Sequence, residues 1–132
     1  VEYHSGLSQV SRDNCVELPN VKVDCGDAGE YKFDDNIDFI YMSNPFGEGT
    51  MKKVLKKLDE SLKRKPRNIC VLYKNPVCED VLLKNGFKAV GKKWEGVDLE
   101  RDGTWYNHEP AHYLHWTYYQ KKAPVKKTKE VT

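Results

Sequence analysis

Ile40 to Gly49 read IYMSNPFGEG, an apolar run that breaks off into an amide, a rigid proline and an aromatic ring. Ser43, Asn44, Pro45 and Phe46 together offer a hydroxyl, a side-chain amide that donates and accepts, a stiff backbone and a stacking surface. Two carboxylates stand in comparable places. Glu2 ends a would-be strand just before the first helical stretch, and Asp27 follows the run VKVDCG. In open α/β sheets ligands bind outside the carboxyl ends of the strands, so polar groups there can hold a small molecule. Singly, each has a plainer reading. Asp27 in a glycine-rich loop and Asn44-Pro45 are turn formers, and Glu2 alone carries no signal. HEPAH (His108 to His112) formally matches the H-E-x-x-H zinc string. Pro110 falls inside the turn that would have to be helical, and HYLHWTYY alternates like a strand, which sets His112 and His115 on opposite faces. No metal site is expected.

The elements that must position these groups follow from periodicity. Ser5 is placed to cap a helix through Leu7, Val10 and Asn14 to about Val16, and Pro19 breaks it. VKVDC alternates like a short strand, and GDAGEYKFDDN is a loop. IDFIYM is a continuous apolar run, the pattern of a strand covered on both faces. Thr50 is placed to cap the clearest helix, in which Met51, Val54, Leu55, Leu58 and Leu62 recur at three- and four-residue spacing. ICVLY is a second buried strand. Asn75 as cap and Pro76 at the first position open another helix that buries Val77, Val81 and Leu82 and stops at Asn85-Gly86. FKAVGKKW and HYLHWTYYQ are two further strands around the polar loop EGVDLERDGTWYNHEP. The order predicts an α/β fold, mostly parallel, with an antiparallel strand at or near one edge.

At 132 residues the chain is one domain's worth, with a body over 1–120 and a lysine-rich, solvated tail over 121–132. The tail holds five lysines and one glutamate, a net +4, which leaves −2 for the body of a chain whose total is +2. The body is therefore not a basic nucleic-acid surface. The aromatic closing strand (Tyr113, Trp116, Tyr118, Tyr119) reads as packing rather than as a base-stacking platform, because no basic stripe accompanies it. No apolar run approaches the ~20 residues of a membrane span. Cys15, Cys25, Cys70 and Cys78 lie well apart with no C-x-x-C pair, and Cys25 and Cys70 sit in apolar runs as small hydrophobes. That usage implies free thiols and a cytoplasmic setting.

Order and spacing together resemble one family, the class I S-adenosylmethionine-dependent methyltransferases. The resemblance runs from Val1 to about Gln120, through VEYHSGLSQVSRDNC, GDA, IDFIYMSNPFGEG, ICVLYKNP, KNGF and a closing hairpin. It implies a Rossmann-like sheet with S-adenosylmethionine as cofactor. It also implies that Glu2 accepts from the ribose hydroxyls and that Asp27 holds the adenine amine. Ala28 would offer its backbone N–H to a ring nitrogen, and Tyr3 would lie against the adenine face. Ser43, Asn44, Pro45 and Phe46 would line the transfer site. Asn-Pro-Phe is similar to the Asn-Pro-Pro-aromatic motif of amino-group methyltransferases, with one proline fewer. There the amide and a backbone carbonyl accept hydrogens from the target nitrogen and so aim its lone pair, which is catalysis by positioning. A related signature serves protein lysine methyltransferases, so the resemblance implies a nitrogen acceptor whose class stays open.

The family's glycine-rich turn after its first strand has no counterpart in this sequence. If Glu2 ends the family's second strand, its first strand and helix would lie upstream of Val1. The family's strand order, 3-2-1-4-5-7-6, makes that strand central. Its loss is expected to leave VKVDC and IDFIYM with open edges, prone to self-association or to pairing with a missing N-terminal segment. Three explanations stand: a fragment of a longer enzyme, which the missing initiator methionine favours, strands from a second chain, or a repacked sheet. The alternative function is a non-enzymatic binding or scaffold protein of the same fold that has lost cofactor binding.

Overall fold

The computed structural model describes residues 1–43, 46–90 and 116–125, with Trp116 represented by its backbone. The elements are α1 (Ser5–Asn14), a short 3-10 turn (Ala28–Glu30), β1 (Phe39–Ser43), α2 (Glu48–Arg64), β2 (Ile69–Lys74), α3 (Glu79–Lys84), β3 (Lys88–Ala89) and β4 (Trp116–Lys121). They form a mixed α/β fold around a four-stranded sheet of order β1-β2-β4-β3. β1 runs parallel to β2, with Ile40 opposite Val71 and Met42 opposite Tyr73. β4 is antiparallel to both β2 and β3. β1, β2 and β3 therefore share one direction, and β4 is inserted against them one place from the edge.

α2 forms where the apolar spacing requires it. Met51, Val54, Leu55 and Leu58 are buried, while Lys52, Lys53 and Lys56 stay in water. Its cap is Gly47 rather than Thr50. The extended Gly47 backbone lets its carbonyl accept from Met51 N–H at 3.0 Å. Glu48 then stands in the first turn, where the helix dipole favours a carboxylate, and pairs with Lys52 at 2.8 Å. α1 likewise is capped one residue earlier than expected and starts at Ser5 itself. His4 fills that place, its Nδ1 accepting from Leu7 N–H at 3.3 Å, and Leu7 and Val10 are more than half exposed.

α3 is shorter than its sequence suggests. Asn75 takes a left-handed backbone, φ 51°, and Pro76 to Cys78 make a turn before the helix begins at Glu79. Asparagine tolerates that conformation better than most residues. Val77, expected inside, is 66% exposed on this turn. The stop at Asn85-Gly86 is borne out. Gly86 has φ 99°, its N–H donates to the Leu83 carbonyl, and Phe87 N–H donates to the Leu82 carbonyl at 3.2 Å. This is the paired closure that a left-handed glycine permits.

VKVDC does not become a strand. Leu18 to Val21 close a turn, and Cys25 alone of this run makes a bridge, parallel, with Glu2. The sheet itself is two-faced. Ile69, Val71 and Tyr73 of β2 are fully buried, and they join Met42, Tyr119 and the apolar side of α2 in one core. On the other face Phe39 and Tyr41 are more than half exposed, and Cys70, Leu72 and Tyr118 are half-buried. Coverage of both faces, expected for IDFIYM and ICVLY, is thus not met among the described residues, because α2 and α3 pack on one side.

Two buried tyrosines hold the core's polar ends. Tyr73 accepts from Cys78 N–H at 3.3 Å, and burial pushes its phenol up to about 12. The Tyr119 hydroxyl donates to Glu79 at 2.8 Å, and burial followed by that carboxylate raises it further. Lys121, assigned from sequence to the tail, closes β4 instead. Its Nζ donates to Asp59 at 3.0 Å and to the Asn85 carbonyl and Oδ1, each at 2.8 Å. All four cysteines are free, but Cys78 is the buried one and Cys25 is exposed, contrary to its apolar run. No described helix is long and apolar enough to cross a membrane.

Candidate functional site

A cavity of about 840 Å³ opens between the N-terminal segment and β1. That volume lies within the range of small-molecule sites. Its walls bring together Glu2, Tyr3, Asp27, Ala28, Ser43 and Phe46, six residues singled out from the sequence. Asn44 and Pro45 lie outside the described residues, as do HEPAH and His115.

Each wall has a local cause. Glu2 N–H donates to the Asp24 carbonyl and Gly26 N–H donates to the Glu2 carbonyl, both at 2.9 Å. The Glu2 side chain is fixed as well, since Oε1 accepts from His4 N–H at 2.9 Å. Buried Ser8 reaches back from α1 to the Glu2 carbonyl at 3.2 Å. Asp27 caps the 3-10 turn, with Oδ1 accepting from Gly29 N–H at 2.7 Å. The turn-forming reading of Asp27 therefore holds, and the same residue also lines the cavity. Gly29 sits in a crowded place, where a Cβ would come within 3.1 Å of the Lys53 side chain and press on it.

The floor is apolar and was not foreseen from the sequence. Tyr31 and Phe33 pack edge to face, with centroids 5.3 Å apart, and join Ile37, Ile40, Met42 and Val54. The alternation Tyr31, Phe33 inside a loop otherwise read as polar was the available signal. Thr50, displaced from its capping role, lines the cavity instead.

The loop carrying these aromatics is clamped to the far end of α2. Asp35 takes a bidentate grip from Arg64, with Nε 3.1 Å from both oxygens and Nη2 2.9 Å from Oδ1, and Ser61 Oγ donates at 2.7 Å. Those bonds, Arg64 first, bring the Asp35 carboxyl from 3.8 down to about 2. Arg67 Nε donates to the Ile37 carbonyl at 2.6 Å, and its Nη2 reaches Ser61 Oγ at 3.0 Å. The loop is thus positioned from the end of α2 and the segment that follows it.

Chemically the cavity offers two locally braced carboxylates as acceptors, a hydroxyl at Ser43 and an apolar floor. No cluster of three metal-ligating side chains occurs among the described residues. A second groove, about 600 Å³ between α2 and α3, has a rim of mixed charge and takes in none of the singled-out residues. Comparison of the chain with protein-family models, with curated proteins and with solved structures finds no match in any of the three.

Proposed function

We propose that the cavity is the nucleoside end of an S-adenosylmethionine site and that the domain belongs to a methyl-transferring enzyme acting on a nitrogen acceptor. The observation that carries this reading is the convergence of Glu2, Tyr3, Asp27, Ala28, Ser43 and Phe46 on one cavity. They come from three separated segments, and the resemblance to class I methyltransferases assigned them to one site, the cofactor's nucleoside and the transfer loop beside it. The topology supports it too. Order β1-β2-β4-β3 with an inserted antiparallel β4 resembles the family's 4-5-7-6 half, and the parallel Glu2–Cys25 bridge resembles its 2-3 pair.

The residues fit the nucleoside half of that cofactor. Glu2 would accept from the ribose hydroxyls, since a carboxylate can take two hydrogen bonds at once. Asp27 and Ala28 would hold the adenine edge, with Tyr3 beside its face. When bound, the cofactor supplies an electrophilic methyl group. Ser43 and Phe46 stand on either side of Asn44-Pro45 in sequence and line the cavity, in keeping with a transfer-site loop there. Asn44 would aim the acceptor nitrogen, Pro45 would stiffen the loop, and Phe46 would pack on substrate or cofactor. The amino-acid half of the cofactor finds no glycine-rich turn in this sequence.

One oxygen of Glu2 and one of Asp27 are already engaged by backbone N–H groups, which favours one second reading. It is a binding protein of the same architecture that does not turn the cofactor over. Ultraviolet cross-linking of S-adenosylmethionine labelled in its methyl group tests the site. The label is expected on peptides containing Tyr3, Asp27–Tyr31 or Phe46. Label confined to the α2–α3 groove, or none above a bovine albumin control, rejects it.

A further inference from the structure

Glu2 is tied to the start of α1 through His4. The His4 N–H donates to Glu2 Oε1 at 2.9 Å, and the carboxylate makes no other hydrogen bond among the described residues. The same residue caps the helix with its ring, Nδ1 accepting from Leu7 N–H at 3.3 Å. A ring nitrogen that accepts carries no proton, so the capping imidazole is neutral, with its one N–H on Nε2. The ring folds back over Gly6, where a Cβ would come within 3.1 Å of Cε1 and 3.3 Å of Nδ1. Ser8 braces both residues from inside. It is fully buried, its N–H donates to the His4 carbonyl at 2.9 Å, and its Oγ donates to the Glu2 carbonyl at 3.2 Å. His4 itself is exposed, so a proton reaches it from solvent.

The geometry points to His4 as a positioning residue for Glu2, a latch that one proton releases. The neutral ring caps α1 and leaves the Glu2 carboxylate to the cavity, whereas the charged ring quits the cap and takes that carboxylate. The physical reason lies in the cap. A protonated Nδ1 is a donor set against the Leu7 donor, and its charge stands at the helix end whose dipole favours anions. The ring must then turn away from Leu7. On its own segment the titratable groups are Glu2, Tyr3 and, in this chain, the Val1 amino group. Across the bridge stand Lys22, Asp24, the Cys25 thiol and Asp27, and α1 carries no charge before Arg12. Asp24 already pairs with Lys22 at 3.3 Å, and Asp27 already accepts from Gly29 N–H at 2.7 Å. Glu2 is the carboxylate held beside His4, with its second oxygen open. Imidazole is the side chain that changes charge between about pH 5 and 8.

What the latch does to a ligand rests on the nucleoside reading above. The latch itself does not, and its test uses no ligand, so its failure and that of the nucleoside reading are separate results. Nuclear magnetic resonance on the isotope-labelled 132-residue chain is run at about pH 7.5 and about pH 5.5. His4→Asn runs beside it, since asparagine keeps a capping oxygen but takes up no proton. At the higher pH the His4 ring is expected to show a nuclear Overhauser contact to Gly6. At the lower pH it is expected to exchange that contact for one to the Glu2 side chain. Leu7 amide exchange, corrected for the intrinsic effect of pH, is expected to rise roughly fivefold on acidification, the weight of a lost cap. The Glu2 carboxyl resonance is expected to move with the same midpoint as the His4 ring, and His4→Asn to show none of these changes. A ring that stays on Gly6 throughout, a Leu7 amide indifferent to pH, or a Glu2 response that persists in His4→Asn overturns the inference. So does a ring that leaves Gly6 for solvent while Glu2 stays put, since His4 is then a cap and nothing more.

Discussion

Glu2 and Cys25 lie side by side in a parallel bridge, closed by Glu2 N–H to the Asp24 carbonyl and Gly26 N–H to the Glu2 carbonyl. This one contact carries the N-terminal carboxylate to the loop that holds Asp27. Both carboxylates thereby reach the same cavity as Ser43 and Phe46.

Asp27 caps the 3-10 turn and also lines the cavity, and two substitutions separate capping from the proposed binding. Asp27→Asn keeps an oxygen for Gly29 N–H, so urea unfolding should stay close to wild type while nucleoside binding falls. Asp27→Ala should in addition lose ~1 kcal/mol, the usual cost of a lost cap. Equal stability of the two variants would contradict the capping role.

The Asp35 clamp predicts an acid limb. Its carboxyl lies below its usual 3.8, at about 2, because Arg64 and Ser61 favour the charged form. A depressed carboxylate contributes stability that is fully present above about pH 4 and is lost as pH falls toward 2. Urea midpoints of wild type and Asp35→Asn should differ by a constant amount from pH 7 to about 4 and converge below it. A gap that persists at pH 2 would contradict the clamp.

Two valine- and leucine-sized truncations test which side chains the fold buries. Leu58 is fully buried on α2, so Leu58→Ala should cost ~2–5 kcal/mol. Val77 stands on the exposed turn before α3, so Val77→Ala should stay within ~0.5 kcal/mol. Denaturant titration decides both.

The lattice around Lys121 makes the end of β4 part of the fold. Lys121→Met removes three donated hydrogen bonds to Asp59 and Asn85 and should cost ~1–2 kcal/mol, less than a fully buried charged pair because both partners are partly in water. Lys122→Met, on an exposed residue, should be silent. Equal effects would return Lys121 to the tail.

Much of this was legible in the sequence because local rules were strong there. The i, i+3, i+4 spacing of Met51, Leu55 and Leu58 left α2 no other face to bury, and Asn85-Gly86 gave the stop that the backbone adopts. The caps were misread at Ser5, Thr50 and Asn75, because the His4 side chain caps α1 in place of Ser5, while α2 and α3 begin after Gly47 and Cys78 with no side-chain cap bond at all. Coverage of the sheet was misread for a different reason. IDFIYM is apolar on both sides, but pattern reports what a face requires, not whether a neighbour is there to meet it. The polar rim of the cavity was visible at the ends of apolar runs. Its floor was not, since Tyr31, Phe33 and Ile37 owe their places to Asp35–Arg64 and Arg67, contacts that join residues about 30 apart.

The central claim, that Glu2, Asp27 and the Ser43–Phe46 loop form one nucleoside-binding cavity, is tested most directly by titrating S-adenosylmethionine into the isotope-labelled chain. The account predicts weak binding, with a Kd well above ~1 μM, and amide shifts at Tyr3, Asp27, Ala28, Ser43 and Phe46 that vanish in Glu2→Ala. Shifts confined to the α2–α3 groove, none at all at ~10 mM, or a response indifferent to Glu2→Ala would contradict it.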